Sequence, residues 1–144
     1  VARGDDATVL EAAEVKGLEA VYESASSSDL TALAAAAQSL SRPEIAQHAL
    51  EALRERFPDA ATAKTAAFQL GQMAESAGKP SEAMRWYRRY LSESPGGPRA
   101  AEAMGRQMLI VHRSGGDAWL LADSYLRRYP QGAYAATARA IIRE

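Results

Sequence analysis

Three times in 144 residues the chain repeats one phrase: an apolar helical segment, a short break, a second apolar helical segment, then a residue followed by proline. The closing dipeptides are Phe57-Pro58, Ser94-Pro95 and Tyr129-Pro130, with 37 and 35 residues between successive prolines. Proline lacks the amide hydrogen a helix needs and constrains the residue before it, so each dipeptide ends a helix. A period of this size belongs to stacked helical hairpins, because one hairpin cannot bury its apolar face alone and needs a neighbour to do so. Such a stack offers extended surface and seldom holds a reactive centre.

The spacing of apolar residues fills in the units. Residues 1–8 form a polar lead-in, and a helix follows from Val9 to about Ser24, carrying Leu10, Ala13, Leu18 and Val21 and interrupted by Gly17. Ser24 to Ser28 is a small-residue break, with Ser28 or Asp29 as the cap of the next helix. The first repeat then places Leu30, Leu33, Ala34, Ala37 and Leu40 on one helix and Ile45, Ala46, Ala49, Leu50, Leu53 and Phe57 on the next. Ser41 and Glu44 between them have the spacing of a capping box, with Pro43 in the first turn.

The second repeat has Ala63, Ala67, Leu70, Gly71 and Ala74, then a turn at 77–80, then Ala83, Trp86, Tyr87, Tyr90 and Leu91. Pro43 to Pro58 and Pro80 to Pro95 are both 15 residues apart, which ties the two units to one template. In the third, Ala101, Met104, Gly105, Met108 and Val111 precede a turn at 114–116, and Asp117 is placed to cap a helix with Leu121, Ala122, Tyr125 and Leu126. A last helix over 133–144, with Tyr134, Ala138, Ile141 and Ile142, would cover the open end of the core. Two parts follow: residues 1–28, a lead-in and an acidic helix, and residues 29–144, the repeat domain with its capping helix.

Alanine makes up about a fifth of the chain, which raises helix propensity and lets helix axes approach closely. Cysteine is absent, which excludes a disulfide framework, a thiol nucleophile and thiolate metal sites. Net charge is −1 overall but uneven. Residues 1–29 hold seven acids against Arg3 and Lys16, and residues 99–144 hold seven arginines against four acids. No apolar run approaches the ~18 residues that span a bilayer, and no signal peptide is visible. The chain starts at Val1 and not at Met, so it is expected to be an excised piece, with any export signal or membrane anchor outside it.

In register, Ala46, Ala83 and Ala118 each lie 12 residues before a terminal proline, and Gly71 and Gly105 follow Leu70 and Met104. This wording resembles the tetratricopeptide repeat: a large residue and Gly in the first helix, Ala then an aromatic in the second, and Pro at the end. The match is good in the second repeat through Leu70, Gly71, Ala83, Tyr87 and Pro95, departs at Ala67 and Ala74, and is degenerate in the first, where Ala34 stands for Gly. The phrase from Tyr129 to Tyr134 (YPQGAY) is similar to the joints between hairpins in bacterial envelope repeats, such as outer-membrane assembly lipoproteins and the Tol-Pal coordinator. The Ala- and Arg-rich stretches around Gly71 and Gly105 resemble the C-terminal repeats of FecR-like envelope regulators. The resemblance implies an all-α right-handed superhelix of about three tetratricopeptide-like hairpins with flanking helices. It also implies a setting in the bacterial periplasm or cell envelope, the cytoplasm being the alternative.

Reactive chemistry is poorly represented. His48 and His112 lie in different repeats without metal-ligand spacing and are expected at the surface. The serines at 24–28 sit in no nucleophile elbow, and the glycine pairs at 96–97 and 115–116 lack the phosphate-loop pattern. No enzyme, cofactor or metal is therefore expected. Ligand grooves in the family are lined by first helices, which makes Gln69, Gln72, Arg106 and Gln107 the candidate groove residues. Arg88, Arg89, Arg127 and Arg128 recur near the ends of two second helices as a candidate basic stripe, and without interleaved exposed aromatics this does not suit nucleic acid. Trp86 and Tyr87 are adjacent on one helix, so one of them must face away from the core; Trp119 and Tyr125 are assigned to it. The expected function is capture of a protein or peptide segment on the concave face. The alternative is an oligomerisation domain of a FecR-like regulator, with the acidic N-terminal helix packed on the basic repeat of a neighbouring copy. Membrane association would come only through segments outside this chain.

Overall fold

The computed structural model describes residues 2–144, with side chains from Asp5 onward; Val1 lies outside the described residues. Every regular element among them is helical: α1 (Ala2–Lys16), α2 (Leu18–Ser24), α3 (Ser27–Ser39), α4 (Pro43–Arg56), α5 (Ala61–Ser76), α6 (Pro80–Glu93), α7 (Ala100–Arg113), α8 (Trp119–Arg128) and α9 (Ala135–Arg143). The chain forms two compact units, one running up to Met73 and the other from Ala74. The all-α helix–turn–helix order expected from the period is present, with α3 packed on α4 in the first unit and α7 on α8 in the second.

In the first unit, the stretch expected to be a polar lead-in is helical from Ala2, and α1 packs on α3 while α2 packs on α4. Gly17 separates α1 from α2 at φ +101°, a backbone state costly for any residue with a Cβ. The break before α3 is only Ala25 and Ser26. The cap is Ser26, not Ser28 or Asp29, and its hydroxyl accepts from the Asp29 amide at 3.0 Å. Leu30, Leu33, Ala34 and Ala37 of α3 and Ala46, Ala49, Leu50 and Leu53 of α4 form the core of the unit, all nearly inaccessible to solvent.

The hairpin turns share one geometry. After α3, the Arg42 amide donates to the Ala37 carbonyl at 2.7 Å and Ser41 N–H donates to Gln38, with Ser41 at φ +58°. The same bonds recur from Lys79 to Ala74 around Gly78 (φ +74°) and from Gly116 to Val111 around Gly115 (φ +81°). These are Schellman closures, in which a left-handed residue satisfies the last carbonyls of the helix. Ser41, Gly78 and Gly115 are spaced by 37 residues in both intervals, so the repeat length is constant at the turns. The shorter last proline interval comes from the second helix: α4 and α6 have 14 residues and α8 has 10.

This geometry overturns two capping assignments. Ser41 cannot form a capping box with Glu44, because its backbone is committed to ending α3; Arg42 occupies the N-cap of α4 without a side-chain bond. At the start of α8 the N-cap is Ala118, and Asp117 serves it indirectly, its Oδ1 accepting from the Trp119 amide at 2.9 Å.

In the second unit the buried side chains are small residues interleaved with tyrosines: Ala83, Tyr87 and Tyr90 on α6, Ala100, Ala103 and Met108 on α7, Ala122 and Tyr125 on α8, and Ala138 and Ile141 on α9. The buried stripe of α7 is rotated from the expected one, since Ala101, Met104 and Val111 are only half-buried. Gly105 is required by packing: a Cβ there would fall 2.6 Å from Cε2 of Tyr134 and closer still to other atoms of that ring. Tyrosine hydroxyls also start the following helices. Tyr90 Oη accepts from the Arg99 amide at 3.0 Å and Tyr125 Oη from the Tyr134 amide at 3.1 Å, serving the N-caps of α7 and α9. Tyr87 is buried and Trp86 half-buried, whereas Trp119, assigned to the core, is 44% exposed. Two fewer residues follow the turn before the closing proline, so α8 begins late and Trp119 falls in its first turn.

Candidate partner-binding surfaces

In the first unit a groove of about 220 Å³ lies between α3, α4 and α5. Thr31, Ala34 and Ala35 line it from α3, a set that shares one helix face by its three- and four-residue spacing. Thr62, Thr65 and Gln69 line it from α5, and Leu50 and Leu53 form the floor. The small residues of α3 leave the space, and the hydroxyls and the carboxamide give its rim donors and acceptors. None of the lining residues is charged.

Only one of the four candidate groove residues lines this groove, Gln69. Gln72 is exposed but does not line the groove. Gln107 is 5% exposed and belongs to the core, because the rotation of α7 turns it inward, away from any groove. Arg106 is not free to meet a ligand.

In the second unit the Arg106 guanidinium grips Glu75 with two nitrogens. Nε donates to Oε1 at 2.8 Å and Nη2 donates to Oε2. The Tyr87 hydroxyl donates to Glu75 Oε1 at 2.6 Å, and Tyr134 donates to Glu102. Burial alone would raise the Glu75 pKa, but the bonds from Arg106 and Tyr87 outweigh it and hold the carboxyl below the usual carboxylate range. The Tyr87 hydroxyl is pushed up by burial and by the adjoining carboxylate, and the Arg106 guanidinium is pushed up chiefly by its bond to Glu75. The cluster therefore keeps its charges fixed and its tyrosine protonated: it works as a strut between α5, α6 and α7. Its two ends are 31 residues apart, so no short motif announced it.

Arg88, Arg89, Arg127 and Arg128 are all exposed. Arg127 Nε pairs with Asp123 Oδ2 at 2.8 Å, and Arg128 donates to the Pro95 carbonyl at 3.1 Å and lies over the Tyr129 ring. His48 and His112 are exposed, the first packed against Tyr22 and the second with Nε2 3.6 Å from Glu144. Among the described residues no group of His, Asp and Glu could hold a metal ion, and no helix is long and apolar enough to cross a membrane.

A second groove in the first unit was not anticipated. Glu19, Tyr22 and Glu23 of α2 and His48, Glu51, Ala52, Glu55 and Arg56 of α4 line an open depression of about 410 Å³. Its signal in the sequence is two Glu pairs at four-residue spacing, Glu19 with Glu23 and Glu51 with Glu55.

In the comparison with known families, the model of the tetratricopeptide repeat matches residues 31–98, from the second turn of α3 to just past α6. Residues 31–98, just under half of the chain, are thus similar to the tetratricopeptide repeat, a fold that generally mediates protein–protein interaction and is typically non-catalytic. No curated protein matches the chain.

Proposed function

We propose that the chain is a non-catalytic interaction module of a bacterial cell-envelope protein, and that it holds a peptide or protein segment in the groove between α3, α4 and α5. The observation that carries this reading is the character of that groove: an apolar floor at Leu50 and Leu53, small residues at Ala34 and Ala35, and an uncharged polar rim at Thr31, Thr62, Thr65 and Gln69. Recognition sites of this kind obtain affinity from apolar burial and orientation from a few placed polar groups. The segment it suits is uncharged and presents apolar or small side chains. The envelope setting is supported by the wording of the joint from Tyr129 to Tyr134.

The test fills the groove without touching the core. Ala35 is exposed and Thr65 half-buried, so Ala35→Trp with Thr65→Arg should leave the helices intact. Proteins captured from an envelope extract by the wild-type chain should be lost with this double variant and retained with Gln72→Ala. An unchanged set of captured proteins would sink the groove as the binding site. An alkaline phosphatase fusion to the protein that stays inactive in living cells, as this disulfide-dependent reporter does in a reducing cytoplasm, would sink the envelope setting.

A further inference from the structure

The outer face of α6 carries Arg85, Arg88 and Arg89, all exposed. Arg85 has one loose partner in its own helix, Glu82 at 3.6 Å, and remains 71% exposed. Arg85 and Arg89 are four residues apart, which sets their charges about 6 Å apart along the helix axis. The depression between α2 and α4 has the opposite character at the same pitch. Glu19 and Glu23 on one wall and Glu51 and Glu55 on the other are both four-residue pairs. Of its cationic residues, Arg56 is engaged, donating to the Tyr22 carbonyl at 3.0 Å and lying over the Phe57 ring. Among the described residues, Glu19, Glu23 and Glu55 meet no cation at ion-pair distance, and Glu51 only accepts from Gln47 at 3.3 Å.

We propose that this groove receives a second copy of the chain, with the arginine face of α6 from one copy laid between the glutamate pairs of α2 and α4 of the next. The occupant is identified by charge complementarity: two arginines at helical pitch match carboxylates at the same pitch, and a guanidinium fork pairs with a carboxylate at two points. The two faces are different patches, so the contact is heterologous. Each added copy leaves one groove and one arginine face open, and assembly proceeds head to tail. The contact uses none of the residues lining the uncharged groove, so it stands or falls separately from the function proposed above.

Sedimentation of the whole chain tests this. At about 0.02 M salt the mass should rise with concentration to at least about twofold that of one chain. At about 1 M salt, where screening acts over about 3 Å, it should return to that of one chain. Arg85→Glu with Arg89→Glu, and separately Glu51→Lys with Glu55→Lys, should each stay at single-chain mass, and an equimolar mixture of the two variants should associate again. If a reversed variant fails to fold, the neutral pairs R85Q with R89Q and E51Q with E55Q, each on its own and without the mixing arm, should likewise stay at single-chain mass. A single-chain mass at low salt up to millimolar concentration, association that survives either substitution pair, or a mixture that does not re-associate would each overturn the proposal. Capture of a basic peptide by a chain that never self-associates would also overturn it.

Discussion

Arg106 on α7 holds Glu75, in the last turn of α5, through two guanidinium nitrogens, with side chains only 28% and 17% exposed. A bidentate pair with this little solvent is stiff and directional, and it is completed by the Tyr87 hydroxyl from α6. Three helices are thereby joined by polar contacts at a place where alanine-rich packing supplies little side-chain interlock.

Removing one partner should cost more than removing both. Arg106→Met is expected to lower unfolding free energy by about 1–3 kcal/mol, because it strands a partly buried carboxylate. Glu75→Gln combined with Arg106→Met should cost less than the sum of the single changes. Urea unfolding of the four proteins gives the comparison, and strict additivity would show that the pair is not coupled.

The same carboxyl predicts a direction for acid sensitivity. Its folded pKa lies below the ordinary value of 4.5, despite burial, because of Arg106 and Tyr87. The folded state therefore binds fewer protons here than the unfolded state. The stabilisation is fully present above pH 4.5 and is lost as pH falls below it, through the depressed folded value. In a pH series of unfolding free energies, Glu75→Gln should flatten part of the decline below pH 4.5; an unaltered slope would rule the group out as its source.

The left-handed turn position gives a prediction of gain. Ser41 sits at φ +58° where the other two turns have glycine, so Ser41→Gly should stabilise by about 0.5–1 kcal/mol, and Gly78→Ala should destabilise by about 1 kcal/mol. Thermal melts read both signs directly, and equal signs would mean the turns are not equivalent.

The two capping hydroxyls should matter separately from their rings. Tyr90→Phe and Tyr125→Phe leave the rings in place and remove the acceptors of the Arg99 and Tyr134 amides, each at a cost of about 0.5–1.5 kcal/mol. Hydrogen exchange at those two amides should quicken in the matching variant alone. Unchanged exchange would mean that another group satisfies them.

Much of the architecture was legible along the chain. Pro58, Pro95 and Pro130 marked the helix ends, and Ala46, Ala83 and Ala118 marked the close contacts, because both features act through the backbone within a few residues. Caps were less legible. Ser41 has the side chain of an N-cap, but its backbone was claimed by the helix before it, and spacing alone does not record which helix wins. Gln107 was misplaced for a related reason: a rotation of α7 by a fraction of a turn exchanges an open position for a buried one without altering the apolar pattern much.

The number, length and order of the helices follow from local chemistry: apolar periodicity, proline stops and left-handed turn residues, each effective over one or two turns. Which polar residues are free to meet a partner was decided by contacts between helices distant in the chain. Arg106 is consumed by Glu75 across 31 residues. The uncharged groove exists because α3, α4 and α5 converge on small side chains, and the acidic one because Glu19 and Glu23 of α2 come to lie beside Glu51 and Glu55 of α4. Pairing and burial depend on three-dimensional distance, and a periodic pattern constrains that distance only within a single helix.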